Sequence, residues 1–507
     1  KEKTITGLVN GDIIYTRLYD GTSSGKYSNI EVKDITKPKI IINLNKKTGN
    51  TLVGIKAKVE QKDEESGIKL TECKWTYNSN KNTEIDETEY TQKFSKETEE
   101  LNLKIDVEGT YYLHVLTVDN AGNKKETISS AVTVEAALVA DGNYNASKGV
   151  NTPKLGSGMT PIKWNGSSWV NTTGSDPEWY DYTAKKWANA KTSDGSMWVW
   201  IPRYAYSITS GYHSSSTGNI DVEFMKGLTN ETSTGRKSFD NVSGQGKWNI
   251  HPAFNYGQEV SGIWVAKFEA SNSGGKIKIV PGVQSWRSIT VNDIYTNCLN
   301  YNKTLNSHMM KNDEWGAVAY LSKSKYGKQN EEVWINNSSN HITGSAGNSA
   351  SANKDVGTDT DYTSTQGVNA STTGTVYGIY DMSGGAHEYV AAYVNNGDSN
   401  LASYGSSLVN GDAKTKNVYV KGSTDDRPNN YDANSSKYGD AVYETGENGS
   451  DIGSWYYDFS YFPYTWSPFF YRGGNLSDGK IAGVFNFVYI SGDSSSSVSF
   501  RPVLAVL

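Results

Sequence analysis

The sequence predicts a mainly β protein with a few helices, an α+β chain built as a small two-sheet sandwich followed by a larger domain. Three observations carry this. Tyr (34), Trp (14) and Phe (12) supply rings that suit a pleated, half-buried surface, while Gly (50) and abundant Asn, Ser and Thr supply turns. Short runs alternating apolar and polar residues, separated by polar turns, recur through the N-terminal part of the chain. The 507 residues exceed the roughly 250 to 300 at which a single core stops growing, so at least two units are expected.

Residues 1–35 hold two strand-like runs, Asp12-Ile13-Ile14-Tyr15-Thr16 and Asn29-Ile30-Glu31-Val32, and read as the end of a preceding β-repeat or a linker. Residues 36–136 supply six further runs: 40–42, 53–59, 73–77, 101–105, 111–115 and 131–134. Their alternation predicts a sandwich. His114 falls inside one of these strands and reads as a packed residue. After Glu135-Ala136-Ala137 the composition shifts toward Trp, Gly, Ser and Asn, which marks a boundary and opens a domain over 137–507. There, 197–204 and 263–269 read as strands, and Thr290–Lys303 and Asn312–Ser324 as helices, the second with Trp315, Val318, Ala319 and Leu321 at helical spacing. Cys298 reads as a small buried residue on the first. Nearly everything after Ser338 reads as loop and short strand.

A net charge of -6 and no run of five or more basic residues argue against nucleic acid as a partner. Two cysteines in different domains, Cys73 and Cys298, exclude a disulfide framework. No stretch of about 18 apolar residues occurs. The chain starts at Lys1 without a Met or signal-like segment, as expected of a processed chain whose upstream export signal or anchor has been removed. His251, His308 and His387 lack ligand spacing, and no cofactor is expected. The run Asp355-Val356-Gly357-Thr358-Asp359-Thr360-Asp361 gathers three carboxylates, so a structural calcium ion is a possibility there, without the bidentate Glu of an EF-hand.

The stretch Trp455–Leu507 combines two kinds of residue. Arg472-Gly473-Gly474, Ala482-Gly483-Val484-Phe485 and Phe500-Arg501-Pro502-Val503 suit tight turns and strand cores. Between them, Asn475-Leu476-Ser477-Asp478, Val488-Tyr489-Ile490 and Asp493 to Ser497 follow no packing pattern, which suggests a binding surface on a fixed frame. Tyr456, Tyr457, Tyr461, Trp466, Tyr471 and Tyr489 would be its anchors, because rigid rings give contact area at low entropic cost. Phe459, Phe469, Phe485 and Phe487 are expected in the core.

Three resemblances follow from motifs. Gly109-Thr110-Tyr111-Tyr112-Leu113-His114-Val115 with Asp119-Asn120-Ala121-Gly122-Asn123 resembles the end of bacterial immunoglobulin-like repeats, which implies an immunoglobulin-like spacer. Tyr377-Gly378-Ile379-Tyr380-Asp381-Met382-Ser383-Gly384-Gly385-Ala386-His387-Glu388-Tyr389-Val390 resembles the signature of the formylglycine-generating-enzyme-like branch of the C-type lectin fold. Asn312-Asp313-Glu314-Trp315, Arg472-Gly473-Gly474 and Phe500-Arg501 look like further parts of that family, over about residues 195 to 507. Gly385 and Tyr389 stand where the family has Asn and Trp. No cysteine follows Cys298, so the copper-binding cysteine pair of the enzymes is missing and thiol catalysis is excluded. His387 and Glu388 neighbour each other in a strand, so they point to opposite faces and make no acid–base pair.

The closing segment, from Phe462-Pro463-Tyr464 through Pro468 to Gly474 to Ser499 to Leu504, is similar to variable proteins of diversity-generating retroelements. In that family, error-prone reverse transcription at adenines randomises surface codons, mostly AAC or AAT, while the frame stays constant. The resemblance implies a hypervariable, non-catalytic protein, bacterial and extracellular or surface-displayed, or on a phage particle, that binds a protein or glycan on another surface. Its oligomeric state is open. Such codons yield the residues present at Tyr471, Asn475, Leu476, Ser477, Asp478, Ile481, Val488, Tyr489, Ile490, Asp493, Ser494, Ser496 and Val498, but neither Trp466 nor Lys480. Tyr456, Tyr457, Tyr461, Thr465 and Trp466 complete the candidate set. The alternatives are a glycan-binding adhesin without hypervariability, in which Trp and Tyr stack on sugars, and a formylglycine-generating-type enzyme.

Overall fold

The computed structural model describes every residue except 1–4, 9, 20, 46–47, 51–54, 104, 106–108, 136–143 and 356–358. The described chain is mainly β with four α-helices. It divides into two compact units, Lys1–Leu138 and Val139–Leu507. The strand start expected at Val53-Gly54, the boundary residues Ala136-Ala137 and the opening Gly142-Asn143 lie outside the described residues.

In the first unit Lys39–Leu44, Ile55–Lys62 and Thr98–Leu103 form one antiparallel sheet. Gly109–Val118 is the centre of a second, paired with Lys74–Asn78, Lys124–Ile128 and Val132–Glu135. The period of two dictates the packing: Ile55, Ala57 and Val59 are buried while Lys56 and Lys58 between them are exposed. They share one core with Leu101 and Leu103 of their own sheet and Leu113, Val115, Val132 and Val134 of the other. His114 is buried, its Nε2 2.9 Å from the Asn80 carbonyl. Ile13–Thr16 and Ser28–Glu31 pair antiparallel and are almost wholly exposed.

The second unit contains two seven-stranded sheets. One runs in the order Trp169–Asn171, Thr160–Trp164, Asn189–Lys191, Met197–Pro202, Gly262–Ala266, Pro502–Leu504, Ser307–Met309. The other runs Asn417–Val420, His387–Asn395, Phe469–Gly473, Gly483–Ile490, Phe459–Tyr461, Ser450–Ile452, and Val498–Phe500 also pairs with His387–Asn395. Helix α1 (Val291–Tyr301) starts behind Thr290, whose side chain accepts from the Asp293 N–H, and it buries Cys298. Helix α2 (Asn312–Lys323) is buried along its whole length, and the Trp315 indole N–H donates to the Val484 carbonyl at 2.7 Å.

Two more helices occupy the region expected to be loop: α3 (Ser399–Asn410) and α4 (Arg427–Ala433). In α3 the helical spacing of Leu401, Tyr404 and Leu408 is set among Ser and Asn, weak helix formers, and α4 is only 7 residues long, too short for a periodic signal. Both begin at an Asp that accepts a backbone N–H, Asp398 from Asn400 and Asp426 from Asn429. Phe469, Phe485 and Phe487 are buried, but Phe459 is only half-buried and lies against Tyr461 at 4.3 Å. Its strand is the second from the sheet's edge and only 3 residues long, so little covers its ring.

Arg501 stands between Val498–Phe500 of one sheet and Pro502–Leu504 of the other. Its Nε donates to Glu388 Oε2 at 2.7 Å, its Nη2 to Glu388 Oε1 and to the Tyr380 carbonyl at 3.0 Å, and its Nη1 to the Ala266 carbonyl at 3.0 Å. Burial works to lower the guanidinium's pKa, but the Glu388 carboxylate more than offsets this and holds it above its ordinary value. Arg472, also fully buried, donates to the carbonyls of Asn486 at 2.6 Å and of Asp440 and Ala441 at 3.0 Å, and to Asn312 Oδ1 at 3.0 Å. The two guanidinium carbons lie 5.5 and 5.9 Å from the Trp315 ring centre. Arg501→Lys keeps the charge but loses the planar fork, and is expected to cost about 3 kcal/mol or more in denaturant unfolding followed by Trp fluorescence. A loss below about 1 kcal/mol would mean that this pair does not tie the sheets.

Candidate functional site

The exposed parts of residues 455–507 fall into three clusters and one loop. The first is built around Arg427, the first residue of α4, with Pro428 next to it. Its guanidinium carbon is 4.6 Å from the Tyr461 ring centre, 4.8 Å from Tyr464 and 5.1 Å from Tyr489. The Tyr461 and Tyr489 rings are parallel within 4° at 6.0 Å, and Tyr464 meets Tyr489 edge-on at 4.9 Å and Trp466 at 6.1 Å. Among the described residues, no hydrogen bond or ion pair uses the Arg427 guanidinium, so its donors are open to solvent. Trp466 is 63% exposed with φ of 52°, a left-handed conformation that is held by its neighbours. Its N–H donates to Asp398 Oδ2 at 3.2 Å, its carbonyl accepts from Asn400 Nδ2 at 2.6 Å, and Thr465 Oγ1 donates to the Asp425 carbonyl at 2.6 Å. The N-terminal turns of α3 and α4 thus fix an aromatic rim around a free cation.

The second cluster surrounds His387. The Tyr471 ring lies 4.0 Å from the imidazole, Asn475 Nδ2 donates to Nε2 at 2.9 Å, and Asp478 Oδ2 is 3.8 Å away. Asp478 also accepts from the Asn475 N–H at 2.9 Å, which shapes the turn that exposes Ser477. Burial pushes His387 down to about 3, so the ring is neutral and accepts from Asn475. In the third cluster, Tyr456 and Tyr457 both have left-handed backbones, with φ of 64° and 67°. Tyr456 Oη accepts from Lys323 Nζ at 2.8 Å and its ring lies 6.1 Å from Phe485, whereas Tyr457 is 68% exposed under Lys480. Ile481 is half-buried beside Lys480.

The loop carries Asp493, Ser494 and Ser496, all exposed. Its backbone is pinned: the carbonyls of Asp493, Ser495 and Ser497 accept from Tyr389 Oη at 2.7 Å, Ser288 N at 2.8 Å and His387 N at 2.9 Å. Three expected surface residues belong instead to the frame: Leu476, Val488 and Val498 are 4%, 5% and 1% exposed. Val488 sits in the strand Gly483–Ile490 opposite Tyr471, and Val498 pairs with His387. Leu476 is drawn inward as its N–H donates to the Gly385 carbonyl at 3.0 Å. Tyr456, Tyr471 and Ile490 are partly buried against the main core. Codon accessibility admits Leu and Val equally on a surface or in a core, so it does not separate the two.

Arg427, Tyr464 and His387 belong to this surface without being among its expected members. For Arg427 the available signal was Asp426-Arg427-Pro428, a helix start. Its meeting with Tyr461 is long-range and has no local trace.

The motif residues serve the frame. Asp381 accepts from Asn336 Nδ2 at 2.8 Å and from the Gly344 N–H. Gly384 has φ of 73°, and a Cβ there would meet Ile335 Cγ1 at 2.3 Å and the Asn336 carbonyl at 2.5 Å. Glu388 is occupied by Arg501. Glu269, fully buried, is raised well above the usual carboxylate range by burial and by Glu388 and Asp381. Cys73 and Cys298 are buried, free and raised by burial. In the acidic run, Val356-Gly357-Thr358 lie outside the described residues. Of the rest, Asp361 Oδ1 accepts from Thr363 N at 2.7 Å and Asp359 from the Ser338 hydroxyl. At this run, where calcium is the alternative to a solvated loop, the described carboxylates are not part of the one described group close enough together to hold a metal ion.

Among the described residues no helix is long and apolar enough to cross a membrane. No protein-family model matches the chain, and no curated protein matches it. A solved structure described as the structural basis for the promiscuous specificity of carbohydrate-binding modules from the β-sandwich superfamily aligns at 13% identity. It covers 43% of this chain and 83% of its own, with a TM-score of 0.17, too low to carry an argument.

Two outcomes test this geometry. Ser477→Tyr and Asp493→Tyr are expected to stay within about 0.5 kcal/mol of the parent in denaturant unfolding, while Val498→Ser loses about 2 kcal/mol or more. His387 binds its proton in the unfolded state at about 6.5 but in the folded state only at about 3. The unfolded chain therefore takes up the proton first, and stability falls as pH falls through that window. As the pH drops from 6 to 4, the parent should lose roughly 1 kcal/mol per unit more than His387→Gln; equal slopes would refute the buried neutral ring.

Proposed function

We propose that the chain is a non-catalytic ligand-binding protein, the variable protein of a diversity-generating retroelement, displayed on a bacterial surface or a phage particle. In this reading the second unit is a C-type-lectin-like domain of the formylglycine-generating-enzyme-like branch. The first is an immunoglobulin-like spacer.

The observation that carries the reading is the segregation within residues 455–507. Tyr457, Ser477, Asp493, Ser494 and Ser496 are exposed, and Tyr461, Tyr471, Asn475, Asp478 and Tyr489 are half-exposed, on a frame whose Arg472 and Arg501 are fully buried and each donate four hydrogen bonds. Such a face tolerates exchange of side chains without loss of the fold. Its content suits recognition: rigid rings for contact area, a guanidinium with free donors, and Ser, Asn and Asp for adaptable hydrogen bonds. The non-catalytic reading rests on Glu388 being occupied by Arg501 and on the lack of any cysteine after Cys298.

The ligand is a protein or glycan on another surface. The exposed rings of Trp466 and Tyr457 also suit an invariant glycan-binding adhesin, and one experiment separates the two. Sequencing the locus across many isolates should reveal a near-copy of codons 455–507 that differs at adenines, beside a reverse transcriptase gene. Codons 457, 477, 493, 494 and 496 should vary between isolates while those of Arg472 and Arg501 do not. A complete genome without the near-copy would overturn the retroelement reading. Loss of glycan-array binding in Trp466→Ala would then support the adhesin.

A further inference from the structure

The first unit carries a carboxylate cluster that the ligand-binding reading does not use. Asp34 precedes the strand Lys39–Leu44, Asp63 follows Ile55–Lys62, and Asp119 follows Gly109–Val118, so three chain segments bring their carboxylates to one end of the sandwich. One oxygen from each lies within 4.8 Å of one from each of the others. Asp34 and Asp119 are buried, at 7% and 0% exposed, and Asp63 is half-buried.

The loops are built to hold these groups in place. Asp63 Oδ1 accepts the N–H groups of Glu65, Ser66 and Gly67 at 3.1, 2.7 and 3.1 Å. Asp119 accepts from Asn123 N and Nδ2, both at 2.8 Å, and the same Nδ2 donates to the Asp34 carbonyl at 3.1 Å. Asn120 N and Nδ2 donate to the carbonyls of Gly67 and Ser66, both at 2.9 Å, closing the loop after Asp119 onto the loop after Asp63.

Asp34 Oδ1 accepts from Thr36 N at 2.8 Å, but Oδ2 is buried and has no hydrogen-bond partner. A buried carboxylate with an unpartnered oxygen, grouped within 4.8 Å of two further carboxylates, is costly unless a cation completes the group. Among the described ion pairs none includes Asp34, Asp63 or Asp119, so no Lys or Arg supplies that charge. We infer that Asp34, Asp63 and Asp119 bind a calcium ion that fastens the end of this unit. An oxygen-only donor set drawn from three separate loops suits calcium, which accepts varied coordination, better than the strict octahedron of magnesium.

The test uses the full chain, stripped with chelator and titrated with calcium chloride in a calorimeter, with thermal unfolding recorded alongside. One calcium per chain and a calcium-dependent rise in the melting temperature are expected. Asp34→Asn should weaken binding at least about tenfold. Asp63→Asn, whose amide oxygen still accepts the turn hydrogen bonds, should do the same and guards against a variant that fails to fold. Asp359→Asn should bind as the parent does. No binding at millimolar calcium, parental affinity in both Asp34→Asn and Asp63→Asn, or a loss that follows Asp359→Asn would each overturn the proposal.

Discussion

The second unit depends on the buried pair of Arg501 and Glu388. Arg501 leaves the strand Val498–Phe500 of one sheet and enters Pro502–Leu504 of the other, and its guanidinium spans that change. Glu388, in the central strand His387–Asn395, takes two of its donors, and the carbonyls of Ala266 and Tyr380 take others. A buried guanidinium is tolerated only when its donors are satisfied, so the positions of these three partners are fixed together. Arg472 repeats the arrangement one strand away, with backbone carbonyls instead of a carboxylate, and Trp315 lies near both.

This clamp holds the frame beside the exposed surface of residues 455–507. The backbone of the exposed loop is held by Tyr389, Ser288 and His387, and that of Trp466 by Asp398 and Asn400, all outside the segment they hold. The exposed side chains therefore bear little of the stability. The same logic explains why Leu476, Val488 and Val498 do not belong to the surface: their side chains fill space between elements that the clamp fixes.

Much of the frame was legible in the sequence because local periodicity determines it. Ile55–Lys62 alternates visibly, α2 shows Trp315, Val318, Ala319 and Leu321 at helical spacing, and Gly384 marks a turn closed to any Cβ. The structural roles of Glu388 and Cys298 were readable from residue type and strand or helix position. The helices α3 and α4 were not, since one is made of weak helix formers and the other is too short for periodicity. The carboxylates of the first unit escaped for a different reason: Asp34, Asp63 and Asp119 meet only when three strands end together, whereas the acidic run at 355–361 is conspicuous because its members are adjacent.

The sequence by itself determined the β-rich class with few helices, the turn and core roles of Arg472-Gly473-Gly474 and Phe500-Arg501, and the lack of any cysteine after Cys298. Each follows from residue type or near-neighbour spacing. Tertiary structure alone decided that Arg427 sits among Tyr461, Tyr464 and Tyr489, that His387 lies under Tyr471, and which accessible codons face water. Those outcomes depend on which distant strands and helix ends pack together, and no local pattern in a chain encodes a contact between residues far apart along it.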